Sequence, residues 1–141
     1  MNDTKAMPFL ERQIKLKSHP DQIRSVENIV DELKNELAFK EDAYANIMIA
    51  VTEAVNNGIT HGNKSDPQKW VHVGFEAKIP YRLVVTVKDE GEGFDPNTLA
   101  DPTSPENIEN IGGRGVFLMR HLADELNFLD EGRKVEMVFN I

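Results

Sequence analysis

Three short clusters in this chain hold residue types that together can bind and act on an anionic ligand. Glu53 and Asn57 stand four residues apart within E-A-V-N-N-G-I-T-H-G-N. If that stretch is helical, the two side chains stack on one face. A carboxylate and an amide oxygen so placed suit a hard cation such as Mg²⁺, directly or through water. Alternatively, Glu53 acts as a general base on a hydroxyl. The second cluster is D-E-G-E-G-F-D, with Asp89, Gly91 and Gly93. The third is G-G-R-G-V-F-L-M, with Gly113, Arg114, Gly115 and Val116. Glycines let main chain approach a ligand where a Cβ would clash, and the first N–H groups of a helix attract phosphate. The layout suits a nucleotide held by backbone rather than by a lysine. Asp89, if buried, can accept a hydrogen bond from an exocyclic amino group such as that of adenine.

Each cluster has a plainer reading when taken alone: a solvated helix face, a turn after a strand, and a helix entry. Other nucleotide motifs are missing. There is no G-x-x-x-x-G-K-[ST] phosphate loop, and no G-x-G-x-x-G opens the first strand–helix unit as a dinucleotide fold requires.

The elements that must position these clusters follow from hydrophobic period. Phe9 to Leu16 alternates loosely and predicts a strand, broken at His19-Pro20-Asp21, where Asp21 or Ser18 is placed to cap a helix. Ile23, Val26, Ile29, Val30, Leu33 and Leu37 predict a helix over about 21–38. Tyr44, Ile47, Met48, Val51, Ala54 and Val55 predict a second, ending near Gly58 to Gly62, with His61-Gly62-Asn63 as its terminal turn. Trp70 to Ala77 and Leu83 to Lys88 read as a hairpin whose second strand delivers Asp89. The residues from Asn97 to Ile111, with Pro102 and Pro105, read as a mobile loop. Val116 to Leu126 predicts a third helix. Asn127 to Leu129 and Lys134 to Ile141 make a last strand pair about the turn Asp130-Glu131-Gly132-Arg133. Trp70 and Phe75 are expected to pack in the sheet, and His19, His72 and His121 to be incidental. The order β-α-α-β-β-loop-α-β-β implies an α+β fold: a mixed, mostly antiparallel sheet with helices on one face.

Bulk composition fits one domain over residues 1–141, long enough to bury a substantial core. With 16 basic and 24 acidic residues the net charge is −8, which disfavours a nucleic-acid partner. An anionic ligand must then be met locally. The chain has no cysteine, so disulfides and thiolate metal sites are excluded. No apolar run reads as a signal peptide or a membrane span. The expectation is a soluble, cytoplasmic protein.

In order and spacing the three clusters resemble the nucleotide site of the GHKL (histidine kinase-like) ATPase superfamily. Glu53 and Asn57 resemble the N box, Asp89, Gly91 and Gly93 the first glycine box, and Gly113 and Gly115 the second. Phe94 to Ile111 resembles the ATP lid. E-A-V-N-N-G-I-x-H-G and D-E-G-x-G-F-D-P look most like the anti-sigma factor serine/threonine kinases of bacterial partner switching. The resemblance implies a two-layer α/β sandwich of the Bergerat type. It also implies ATP or ADP as ligand, with Asp89 on the adenine amino group and Asn57 on Mg²⁺. Glu53 would be the general base for an acceptor serine, with Gly113, Arg114, Gly115 and Val116 around the phosphates. Implied partners are a STAS-type anti-anti-sigma protein, a sigma factor and a second copy of the chain, with neither nucleic acid nor membrane involved. A non-catalytic, nucleotide-gated binding module of the same fold is the alternative. Asp31, Glu32, Glu36, Glu41 and Asp42 read as a solvated helix face, or as a dock for a basic sigma-factor surface. Two departures stand out: Gly58 where the N-box helix often continues with alanine, predicting an early end or bend, and a short lid with no obvious lysine.

Overall fold

The computed structural model of the chain describes residues 8–78, 81–93 and 113–141. Strand β1 (Leu10–Lys17) is followed by helices α1 (Ile23–Leu37) and α2 (Glu41–Asn57), then β2 (Trp70–Lys78), β3 (Arg82–Lys88), α3 (Gly113–Leu122), β4 (Glu125–Leu129) and β5 (Lys134–Asn140). The strands form one five-stranded sheet in the order β1-β2-β3-β5-β4. All four pairings are antiparallel, so the mixed component of the expected sheet does not occur among the described residues.

Strand alternation sorts the two faces. Val71, Val73 and Phe75 of β2, Leu83, Val85 and Val87 of β3, and Met137 and Phe139 of β5 are buried toward the helices. They meet Val26, Val30 and Leu33 of α1 and Ile47, Val51 and Val55 of α2, all fully buried. Burial of this apolar surface, at roughly 25 cal/mol per Å², is the main force holding the two layers together. Helix α2 packs between α1 and α3 and also touches β3 and β5, so it is the spine of the helical layer.

Several element ends differ from the periodicity reading. A short 3₁₀ turn, Pro20–Gln22, precedes α1, and its cap is His19, whose Nδ1 accepts from the Asp21 N–H at 3.2 Å. Ser18 faces inward instead and donates to the Lys69 carbonyl at 2.7 Å. Helix α3 stops at Leu122, and Leu126 belongs to β4, paired with Met137. The apolar sequence Leu122-Ala123…Leu126 fits a helix as well as a strand, and pairing with β5 decides. Trp70 stands on the open face, its ring under the ammonium groups of Lys15 at 4.1 Å and Lys17 at 4.3 Å, whereas Phe75 is in the core. The acidic face is partly tied down. Tyr44 donates to Asp31 at 2.5 Å, Arg12 reaches both Glu36 oxygens at 2.9 and 3.0 Å, and Lys34 lies 3.8 Å from Glu41.

Candidate nucleotide site

Helix α2 loses its α-helical form at Gly58, but the coil does not stop there. The chain continues with helical dihedrals into a π-helical turn over Gly58–Gly62. Such a wider turn is rare and recurs at functional sites. Here it carries the helix end up against the residue that follows β3. Strand alternation points Val87 inward and Lys88 outward, so Asp89 returns to the helical side. Its carboxyl group lies directly on Gly62, where any Cβ would collide with it. Gly91 lies equally close to the Gly62 carbonyl. The glycines therefore let two stretches of backbone close on one carboxylate.

The Gly91 N–H donates to Asp89 Oδ1 at 2.8 Å. Burial nevertheless dominates and raises the Asp89 pKa above its ordinary value, with the Asp130 charge adding a little. The Gly91 bond and the charges of Arg133 and Lys69 oppose that rise.

Asp89 lines a cavity of about 270 Å³ roofed by α2 and α3 and floored by the sheet. Val116, Met119, Phe128 and Val135 give it apolar walls, and Asn57 supplies an amide. Gly115, in the first turn of α3, packs so tightly on the Asn57 side chain that a Cβ would overlap it. A flat ring with an amino edge fits such a slot, since apolar walls take its faces and Asp89 takes its donor. For a metal, Asn57 offers one oxygen, and no group of three or more His, Cys, Asp or Glu gathers among the described residues. That is compatible with Mg²⁺, which keeps waters and phosphate oxygens as most of its ligands.

The sequence-derived residues therefore divide as follows. Asp89, Gly93, Asn57 and Val116 line the cavity, and Gly91 and Gly115 abut Asp89 and Asn57. Glu53 is half-buried one helical turn back from Asn57 and stands outside the lining. Gly113 opens α3. The Arg114 side chain, Phe94 to Ile111 read as a lid, and the mobility of Asn97 to Ile111 lie outside the described residues.

Two residues matter more than their sequence context indicated. Asn63, read only as part of a helix end, is fully buried. It donates to Ser18 Oγ at 2.9 Å and the Trp70 carbonyl at 3.0 Å, and accepts from the Glu90 N–H at 2.7 Å. It thereby ties the end of the π-turn to the Asp89 loop. Arg133, read only as a turn residue, reaches that loop from the turn just before β5. Asn63 carries a faint signal within H-G-N; Arg133 carries none, being 42 residues from its partner.

Comparison with known proteins agrees with this geometry. The family model described as the histidine kinase-like ATPase domain matches residues 16–139. Among curated proteins, the serine-protein kinase RsbW of Bacillus licheniformis is 29% identical over 132 residues, covering 89% of this chain and 82% of the relative. RsbW of Bacillus subtilis is 28% identical over 120 residues, covering 81% and 74%. Among solved structures, the RsbU and RsbW domains of a Mycobacterium tuberculosis protein superpose with a TM-score of 0.66 at 17% identity. That match covers 94% of this chain and 32% of the larger one. A histidine kinase domain from a blue-light activated kinase of Erythrobacter litoralis gives a TM-score of 0.54 at 17% identity, covering 89% and 61%. Among the described residues, no helix is long and apolar enough to cross a membrane.

Proposed function

The chain belongs to the histidine kinase-like ATPase domain family, and on that footing we propose that it is an ATP-dependent serine-protein kinase acting on a protein partner in a sigma-factor switch. The single observation that supports this most is the seating of Asp89. It is a half-buried carboxylate held against Gly62 and Gly91, in a slot walled by Val116, Met119, Phe128 and Val135 that Asn57, His61, Lys64, Glu92 and Arg133 also line.

Asp89 receives the adenine amino group, and the ring lies between the apolar walls. Asn57 is the protein's ligand to Mg²⁺, which when bound neutralises phosphate charge. The first N–H groups of α3, from Gly113 to Val116, face the phosphates with the positive end of the helix. Phosphoryl transfer needs positioning and charge neutralisation above all. The acceptor serine oxygen forms a bond to the γ-phosphorus, the bond from that phosphorus to the ADP oxygen breaks, and the serine proton passes to Glu53. The substrate is a small STAS-type anti-anti-sigma protein. The same chain, as a homodimer in the cytoplasm, holds a sigma factor when the partner is phosphorylated. The name serine-protein kinase of the RsbW relatives supports the reaction class.

The test incubates wild-type protein and Glu53→Ala with MgATP and a lysate of the source cells, and searches by mass spectrometry for new phosphoserine. One small protein phosphorylated only by the wild type is expected. Glu53→Ala should retain ATP affinity. No phosphorylation by a wild type that binds ATP would refute the kinase and leave a nucleotide-gated binding module. That second reading has one observation in its favour, the position of Glu53 outside the cavity lining.

A further inference from the structure

The turn between β4 and β5 is backbone-strained and packed on the Asp89 loop. Asp130 and Glu131 both adopt left-handed dihedrals (φ 51° and 55°), followed by Gly132 at φ 85°. Consecutive non-glycine residues there are uncommon and persist where surroundings over-determine them. Lys88 lies 3.6 Å from Asp130 and the Arg133 backbone N–H donates to the Asp130 carbonyl at 3.0 Å, but most of the side-chain hydrogen bonds at the turn come from Arg133. Arg133 Nε donates to the Gly91 carbonyl at 2.9 Å, and Nη2 to the Glu92 carbonyl at 3.1 Å. Arg133 Nη1 donates to the Asp130 carbonyl at 3.3 Å and to Glu131 Oε2 at 3.2 Å. The Asp89 N–H donates in turn to the Arg133 carbonyl at 2.9 Å, extending the β3–β5 ladder by one rung. Gly93, at φ 84°, completes the seam: a Cβ there would strike the Glu131 carbonyl.

A guanidinium has five N–H donors and no acceptor. Four contacts to protein oxygens leave it little capacity to bind phosphate or sugar, although it borders the cavity. It serves the loop instead. We propose that Arg133 is a positioning residue of the nucleotide site, a clamp from the β4–β5 turn that holds the Asp89–Gly93 backbone in its binding conformation through the Gly91 and Glu92 carbonyls. This rests on the nucleotide reading above and adds to it a component outside the three motif clusters. Lysine is a poor replacement, because its compact, rotatable ammonium lacks the rigid planar fork that meets both carbonyls at once. The charge has a second effect. Among the groups acting on Asp89, Arg133 and Lys69 favour the carboxylate and Asp130 disfavours it, while His61 borders the same cavity.

The experiment titrates ATP by calorimetry into wild type, Arg133→Ala and Arg133→Lys between pH 5 and 8, with thermal unfolding in parallel. Losing the clamp lowers the fraction of loop that is binding-competent, and apparent affinity falls by that fraction. Arg133→Ala should weaken ATP roughly tenfold, and the pH at which affinity is lost on acidification should move up. Arg133→Lys should restore most of the pH profile but not the affinity. Should Arg133→Ala fail to fold, the lysine variant carries the test through its weaker affinity and near-normal profile. Variants that lose thermal stability while keeping both affinity and pH profile would overturn the proposal and reduce Arg133 to a structural turn residue. A wild type that binds no ATP would overturn the nucleotide reading itself, and the clamp with it.

Discussion

Replacing Asp89 by asparagine separates the ligand's requirement from the fold's. The two side chains have one shape, and the Gly91 N–H, 2.8 Å from Oδ1, finds an oxygen acceptor in either. What changes is the other terminal atom, which becomes an NH₂ donor, and the loss of charge. If the carboxylate accepts from the adenine amino group, a charge-assisted hydrogen bond of about 1.5–3 kcal/mol is lost. That corresponds to about 10- to 150-fold in affinity, and a donor now opposing a donor adds to it. Stability should move the other way. Burial raises the folded Asp89 pKa above its unfolded value, more than Gly91, Arg133 and Lys69 lower it. A group shifted upward contributes its stability fully below the unfolded pKa and loses it as pH rises through the folded pKa. At neutral pH the ionised Asp89 is therefore a net cost that asparagine removes. Calorimetric ATP titration and thermal unfolding at pH 4.5 and 7.5 measure both. The variant's ATP affinity should fall by at least that factor, and its melting temperature relative to wild type should be higher at pH 7.5 than at pH 4.5. Unchanged ATP affinity would remove Asp89 from adenine recognition. A relative melting temperature that falls between pH 4.5 and 7.5 would refute the burial account.

Two glycines give contrasting expectations. Gly115→Ala places a methyl group against the Asn57 amide, so Asn57 must rotate. Magnesium-dependent ATP affinity should drop while the melting temperature changes little, because the displaced group is the end of a flexible side chain; equal affinity with and without Mg²⁺ in both proteins would refute the role of Asn57. Gly58→Ala should stabilise by about 0.4–1 kcal/mol in chemical denaturation. Gly58 is helical (φ −62°), and an added Cβ would meet Val71 and Asp89 at 3.5–3.6 Å, ordinary contact. Destabilisation would show that the π-turn depends on a glycine at its first position.

The element pattern and the site motifs were legible because they are written in short-range periods. Helical spacing from Ile23 to Leu37 and from Tyr44 to Val55, and strand alternation from Leu83 to Val87, are visible within a few turns or residues. The same alternation carries Asp89 to the helical side. Spacing of four within α2 set Glu53 and Asn57 on neighbouring turns. The sequence alone therefore determined the layer order and the three clusters.

The tertiary structure decided what depends on partners distant along the chain. It assigned Leu126 to a strand, because pairing with Met137 outweighs a helical pattern that the segment satisfies equally well. It set Trp70 on the open face beneath two lysines of β1, since a strand's polar side is known only once its neighbour is. It turned the change expected at Gly58 into a π-turn that finishes at Gly62, so that Gly62 could meet Asp89. And it brought Arg133 to the Gly91 and Glu92 carbonyls and buried Asn63 beneath the loop. Nothing local predicts these contacts, because hydrogen-bond donors choose among acceptors by proximity in space, and proximity across 42 residues exists only after the sheet has formed.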